Sequence, residues 1–545
     1  MKELLLASTA AGLGLDKIWA MIEPASPFGR EEKGRARAYL PGEEAALEEE
    51  LGRVEAARRA GDDSPPVMRA LVGRLGRLRD LRGSVAAAVR GAALEVVELY
   101  ELKRFALISR EIEELLGRLS WPLPPDLRLE AVDGVLRALD PQGTGSPGFH
   151  VGDQFSTSLA RLRRRKRAAE RSLEEGRREQ AFAVAGRLGV KPGPGGEVVL
   201  PAGDRRVLLA REESDLLPVR EAGGFLYFRL RPGARAREAE AILAHLKEQE
   251  RREEARVRGK LSRAVARWAP ALSHNMAALG RLDFLLARAR LARETAAVRP
   301  VILPPGSGVV LREARHPGVE QDLGRSGRRF TPVSLELRPG AAVLTGPNMG
   351  GKTVALRTLG LAVAMAQLGL PVPAGHMAWS PVAFIFYGGQ EEENRPGLSA
   401  FAAEVTRVRE PLGRLDEAGL LLLDEFARGT NPREGRALCA AILGRLARGP
   451  SVCLLATHHS GLAELVGTAH WQTRGLRGDV LAGEDGAEGV DWLYEHMDYR
   501  LERVAPGKEA PRDALVVARL LGLDEGVVEL AERYLGETAG EGERP

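Results

Sequence analysis

Three short runs in the second half of the 545-residue chain carry side chains that could act together on a nucleoside triphosphate. The first, LTGPNMGGKTVAL (Leu344–Leu356), has the spacing G-x-x-x-x-G-K-T. Glycines let a loop turn its backbone N–H groups onto phosphate oxygens, and the amino-terminal end of the helix that follows adds to the attraction for an anion. Gly346, Gly350 and Gly351 supply that turn, and Pro347, Asn348 and Met349 complete the cradle. Lys352 is expected to reach the β- and γ-phosphates, and Thr353 to place its hydroxyl on a magnesium ion. The second run, AGLLLLDEFARGTN from Ala418, ends an apolar stretch in two adjacent acids. Asp424 is the candidate magnesium ligand, directly or through water, and Glu425 the candidate base that polarises the attacking water. The third, SVCLLATHHS, puts His458 where it could sense or contact the γ-phosphate. The order of loop, Asp-Glu strand and Thr-His strand specifies an ATPase of the ABC type, with ATP and Mg2+ as its ligands.

Such chemistry needs a particular scaffold. Each run begins as a short apolar segment, as expected of buried parallel strands whose carboxyl ends face one site. From about Val301 the sequence alternates strand, loop and helix, as an α/β layer requires. Upstream, apolar residues recur at three- and four-residue spacing in EEAALEEELGRVEAARRA and VAAAVRGAALEVVELYELKRFALISREIEELLGRL, which predicts a helical array. A second long helix is expected from Ser156 to about Leu188, and a third from the AREAEAILAHLKEQ run onward. Between them, at about 190–235, short apolar runs punctuated by Gly, Pro and Asp predict a small β insertion at the tip of an antiparallel helical arm.

The expected organisation is therefore multidomain: a helical core (1–155), lever helices with the β insertion (156–300), and a P-loop α/β ATPase domain ending in a helical pair (301–535). A disordered tail (536–545) is expected to follow. The arginine-rich stretch RLRRRKRAAERSLEEGRREQ reads either as a phosphate-contacting stripe or, more in keeping with such runs, as a solvated helix face compensated by glutamates. The formal charge of +4 decides little between partners. Cys439 and Cys453 match neither a disulfide framework nor a metal site and read as small apolar residues in a reducing compartment. The amino terminus, MKELLLASTAAGLGLDKIWAM, reads as a helix of the mature chain, since no small-residue cleavage site follows it. With no apolar run of about 20 residues, a cytoplasmic protein without membrane contact is expected.

The quoted motifs resemble a known family. TGPNMGGKT, LLLLDEFARGTNPREGRALCAAIL and LLATHHSGLAEL are similar to the ATPase domain of the MutS proteins, and LREARHPGVE with RRFTPVSLEL looks like the segment that introduces it. The likeness is strong from about Leu311 to Leu465 and weaker through the helical regions. It implies that Phe330 stacks on adenine, and that Ser399, in GLSAFAAEV, reaches the nucleotide bound by the other subunit of a homodimer. It also places Arg428, Gly429, Thr430 and Asn431 at the dimer interface. DNA, mismatched, branched or otherwise structured, is the partner the resemblance implies, in mismatch repair or recombination control. Several departures accompany it. The chain starts near the family's core, without the mismatch-reading Phe-x-Glu domain. GGQEEENRPGLSAF and NPREG look more like the branch linked to recombination control, yet no terminal nuclease is evident. Ala427 stands for a usual glycine, and Gln390 for an acid of that branch. A short class resembling the reactivating subunit of cobalamin-dependent lysine aminomutase also shares these features, and implies an alternative protein client.

Overall fold

The computed structural model describes residues 4–6, 8–191, 193, 196–347, 349–389, 400–476, 490–505, 513–520 and 522–541. It divides into two compact units. One gathers residues 1–77, 115–127 and 278–545, the other residues 78–114 and 128–277. This is a different partition from the chain-order domains 1–155, 156–300 and 301–535, because the first 77 residues share a unit with the α/β layer.

In the second unit two long helices run side by side, α1 (Thr157–Leu188) and α2 (Ala234–Ala266). Ser156 caps α1 by accepting the Leu159 N–H, and Gly189 ends it in the left-handed conformation. The pair is antiparallel: Arg163 meets Glu250 and Glu254, Arg177 meets Glu240, and the Gly233 N–H donates to Gln180. Between them lies the expected β insertion, an antiparallel sheet of β1 (Glu197–Pro201), β2 (Leu216–Ala222) and β3 (Phe225–Leu230) in the order β1-β3-β2. Val198, Leu200, Leu226 and Phe228 of that sheet pack with Val184 and Leu188 of α1 in a small core of their own.

Among the described residues, the first unit holds ten strands. They are β4 (Val301–Ile302), β5 (Val309–Ala314), β6 (Val333–Leu337), β7 (Gly340–Thr345), β8 (His376–Trp379), β9 (Phe384–Gly388), β10 (Gly419–Asp424), β11 (Val452–Ala456), β12 (Ala469–Leu476) and β13 (Met497–Arg503). Six form one sheet in the order β13-β12-β7-β11-β10-β9, parallel except for β13. The other four form a second sheet, β4-β8-β5-β6. Every residue of β10 and β11 is buried, which explains their uninterrupted apolar runs. Helix α3 (Lys352–Gln367) follows β7, and α4 (Ala400–Leu412) and α5 (Pro432–Leu446) flank β10 in sequence.

Two expectations are corrected. The amino terminus is not one helix. Leu4–Leu6 is extended beside β9, with the Ile385 N–H donating to the Leu4 carbonyl at 2.7 Å, and only then do short helices Thr9–Gly12 and Leu15–Met21 begin. The reason is burial on both sides: Leu4, Leu5 and Leu6 are all in the core, and Gly14 takes a left-handed φ of 70° that breaks the helix. At the other end the helix Glu525–Glu541 runs into the segment 536–545 for which disorder is expected, so the expected tail is shorter than ten residues. No helix among the described residues is long and apolar enough to cross a membrane.

Candidate nucleotide site

Parallel register brings the three runs to one edge of the sheet. Ala456 of β11 lies opposite both Leu344 of β7 and Asp424 of β10, so the loop after β7, the acids ending β10 and the Thr-His pair after β11 leave the sheet side by side. This is the edge at which open parallel sheets bind ligands.

The loop is built by backbone geometry that side chains would prevent. Gly346 has φ 147° and Gly351 φ 84°. A Cβ on Gly346 would fall on the Thr473 Oγ1 of β12, and one on Gly351 would sit 3.1 Å from Tyr499 of β13. Gly350 is enclosed too: a Cβ there would stand 2.8 Å from the Thr473 Oγ1. Met349 takes a left-handed φ of 69°. Asn348 lies outside the described residues.

Lys352, the first residue of α3, is buried and donates from Nζ to the Gly346 carbonyl at 2.9 Å and the Pro347 carbonyl at 3.0 Å. Its ammonium is thus held by the cradle itself. Burial pushes its pKa down, opposed by the carboxylates of Glu425 and Asp424.

Asp424 is buried at the end of β10, with the Tyr387 hydroxyl 3.5 Å from Oδ2 and no hydrogen-bond partner for Oδ1 among the described residues. Burial raises its pKa, and the neighbouring Thr353 hydroxyl opposes the rise. A buried carboxylate oxygen without a partner is costly in isolation. A divalent cation against Oδ1 and the Thr353 hydroxyl removes that cost, so these residues fit magnesium, a hard ion content with one carboxylate plus water and phosphate oxygens.

Glu425 departs sharply from the strand, with φ 53°, and its N–H donates to the Ala456 carbonyl at 2.9 Å. Its carboxylate is gripped from two sides, by His458 Nε2 on Oε1 and by Arg428 Nη1 on Oε2 at 2.9 Å. Glu425 and His458, candidates read from separate strands, are therefore in direct contact. Ala427 also lies in the left-handed region, φ 63°. A glycine would sit there without strain, whereas an L side chain costs about 1–2 kcal/mol.

The remaining site residues are less central. The half-buried ring of Phe330 packs against the main core. Ser399 and Gln390 fall outside the described residues. Asn431 caps α5, its Oδ1 accepting the Arg433 N–H. Both cysteines are buried and free, their thiols pushed up to about 12 by burial, as small apolar residues should be.

Sequence reasoning missed the second layer of the site. Tyr387, Thr473, Tyr499 and Glu404, whose carboxylate accepts the Ala427 N–H at 3.0 Å, all reach it from other elements. So does His470, which shares a 2.8 Å hydrogen bond with the Thr345 hydroxyl. Only Tyr387 carried a signal, as a polar-tipped aromatic closing the apolar run FIFYGG.

In the arm, the arginine stretch divides. Arg163 bonds Asp153, Glu250 and Glu254, and Lys166 bonds Glu250, so these two face α2 and hold the helices together. Arg161, Arg164 and Arg165 are exposed and make no ion pair among the described residues.

A largely parallel sheet with a glycine-rich loop, two adjacent acids and a histidine together at one edge has the layout of a P-loop nucleotide-binding domain. The family model for MutS domain V matches residues 342–538, and the chain belongs to the MutS family. Among its relatives, the Endonuclease MutS2 of Exiguobacterium sibiricum is 30% identical over 99% of this chain and 64% of its own length. That of Thermomicrobium roseum is 33% identical over 85% of this chain and 58% of its own, and that of Halalkalibacterium halodurans 29% over 86% and 58%. The chain thus spans about three-fifths of the length of the curated relatives it matches.

Proposed function

We propose that this chain is an ATP-binding and ATP-hydrolysing switch that acts on DNA as a homodimer with composite sites, in the cytoplasm. The observation that carries the reading is the convergence of Lys352, Thr353, Asp424, Glu425 and His458 at one sheet edge. In this reading the amides of residues 346–351 cradle the phosphates, and Lys352 turns from the Gly346 and Pro347 carbonyls to the β- and γ-phosphate oxygens. Thr353 and Asp424 hold Mg2+, which when bound neutralises charge developing on the transferred phosphoryl group. Glu425 orients the attacking water and takes its proton, while His458 keeps the carboxylate aimed and contacts the γ-phosphate. Phe330 stacks on adenine. Ser399 and residues 428–431 complete the site of the opposite subunit.

The arm would grip the nucleic acid, with Arg161, Arg164 and Arg165 as phosphate contacts. Relatives named Endonuclease MutS2 favour DNA over a protein client; an aminomutase client draws no support from them. ATP binding and hydrolysis then change the grip on DNA. The test is a titration of branched, mismatched and plain duplex DNA at low and moderate salt, with and without ATP. Salt-sensitive binding that ATP alters is expected; absence of binding to all three at low salt contradicts the reading.

A further inference from the structure

The turn that aims Glu425 is held against its own backbone preference. Glu425 and Ala427 both have positive φ, 53° and 63°, and neither is glycine. Such a turn persists only where its surroundings over-determine it. Three backbone groups are fastened. The Glu425 N–H donates to the Ala456 carbonyl at 2.9 Å, the Phe426 carbonyl accepts from the Cys439 Sγ at 3.5 Å, and the Ala427 N–H donates to the Glu404 Oε2 at 3.0 Å. The first of these merely continues the strand pairing of β10 with β11, and the second comes from a weak thiol donor. The third is a charge-assisted bond to a half-buried carboxylate on α4, placed at one of the two residues that carry the strain. The Ala427 carbonyl comes close to α5 at Gly435, where any Cβ would stand only 2.9 Å from it, so the turn fits against that helix because residue 435 has no side chain.

We propose that Glu404 is a positioning residue for hydrolysis: by accepting the Ala427 N–H it keeps the 425–427 turn in the left-handed conformation that presents Glu425 to the site. The inference rests on Glu425 being the base for ATP hydrolysis. Glu404 touches neither the P-loop nor the magnesium carboxylate among the described residues; its effect passes through the backbone of residue 427. A glutamine at 404 keeps an acceptor oxygen, and an alanine does not. A glycine at 427 makes the left-handed conformation free of strain and so removes most of the need for the anchor.

ATP hydrolysis and nucleotide binding by the full chain test this. Glu404→Ala is expected to lower kcat about tenfold, with the ATP Kd unchanged within about twofold, while Glu404→Gln stays within about threefold of the parent. Adding Ala427→Gly to Glu404→Ala should recover most of the lost rate. Should Glu404→Ala not fold, Glu404→Asp, whose carboxylate falls one methylene short, takes its place with the same expectation. Parent-level kcat in Glu404→Ala, or no recovery in the double variant, overturns the proposal. Glu425→Gln separates the two levels: if that variant turns over normally, the reading of Glu425 as base fails, whereas an inactive Glu425→Gln beside a fully active Glu404→Ala removes Glu404 alone.

Discussion

Of the sixteen residues of α3, thirteen are buried; of the thirty-two of α1, four are. The helix behind the P-loop is fixed by apolar packing against sheet strands. The arm helix is fixed to its partner by charges reaching across, with Glu250 shared by Arg163 and Lys166. The difference follows from what each must do. A site that places a carboxylate, a hydroxyl and an ammonium within bonding distance of one ligand needs a rigid, dry support. A helix with so few buried residues has little apolar surface to hold it, so its cohesion is largely electrostatic and responds to pH and salt.

The contrast can be broken at the site first. Lys352→Ala should abolish measurable nucleotide binding in a calorimetric or fluorescent-nucleotide titration, with the sheet still folded by circular dichroism, since the ammonium is the group that reaches the phosphates. Undiminished ATP affinity would remove the P-loop assignment.

A smaller effect should separate the supports themselves. His316 is buried, with Nδ1 accepting the Val319 N–H and Nε2 on the Leu13 carbonyl at 3.0 Å, and burial, with Arg357 second, lowers its pKa from 6.5 to about 4. The fold therefore keeps it neutral where the unfolded chain takes up a proton. Stability should be full above pH 6.5 and decline as pH falls through the window down to about 4, by up to ~3 kcal/mol. Urea melts at pH 7 and pH 4.5 should show a steeper loss in the parent than in His316→Asn; equal slopes would show that this histidine does not sense acid.

In the arm, Glu250→Ala removes the acceptor of two cations at once and should cost about 1–2 kcal/mol in the unfolding of that unit. Protease susceptibility of α1 and α2 against that of the sheet unit reads this out; no difference would mean the cross-helix charges do not hold the pair. Least disruptive to the fold, Arg161→Ala, Arg164→Ala and Arg165→Ala together should leave melting unchanged yet weaken DNA binding and reduce its salt slope by roughly 0.9 for each phosphate no longer neutralised. Unchanged titrations would leave these side chains as a solvated face.

The same contrast explains what could be read from the sequence. Gly346, Lys352, Thr353, Asp424, Glu425 and His458 sit in fixed spacings at strand ends, and strand pairing alone then assembles them. The β insertion and the two long helices were legible from periodicity and turn residues. Leu4–Leu6 was not, because three leucines suit a buried strand as well as a helix, and only β9 decides between them. Nor could spacing show that Glu404 meets Ala427, or that Arg163 faces α2 while Arg164 faces water, since those pairings depend on helix rotation and on loops whose conformation is set by their neighbours. Ala427 was legible as an oddity, and the left-handed backbone there supplies its cause.

The central claim is that the sheet edge hydrolyses ATP with Glu425 as base. Single-turnover hydrolysis by Glu425→Gln, with ATP binding measured on the same sample, tests it most directly. Binding within a few-fold of the parent and a rate lower by at least about a hundredfold are expected. Turnover near the parent rate would contradict it.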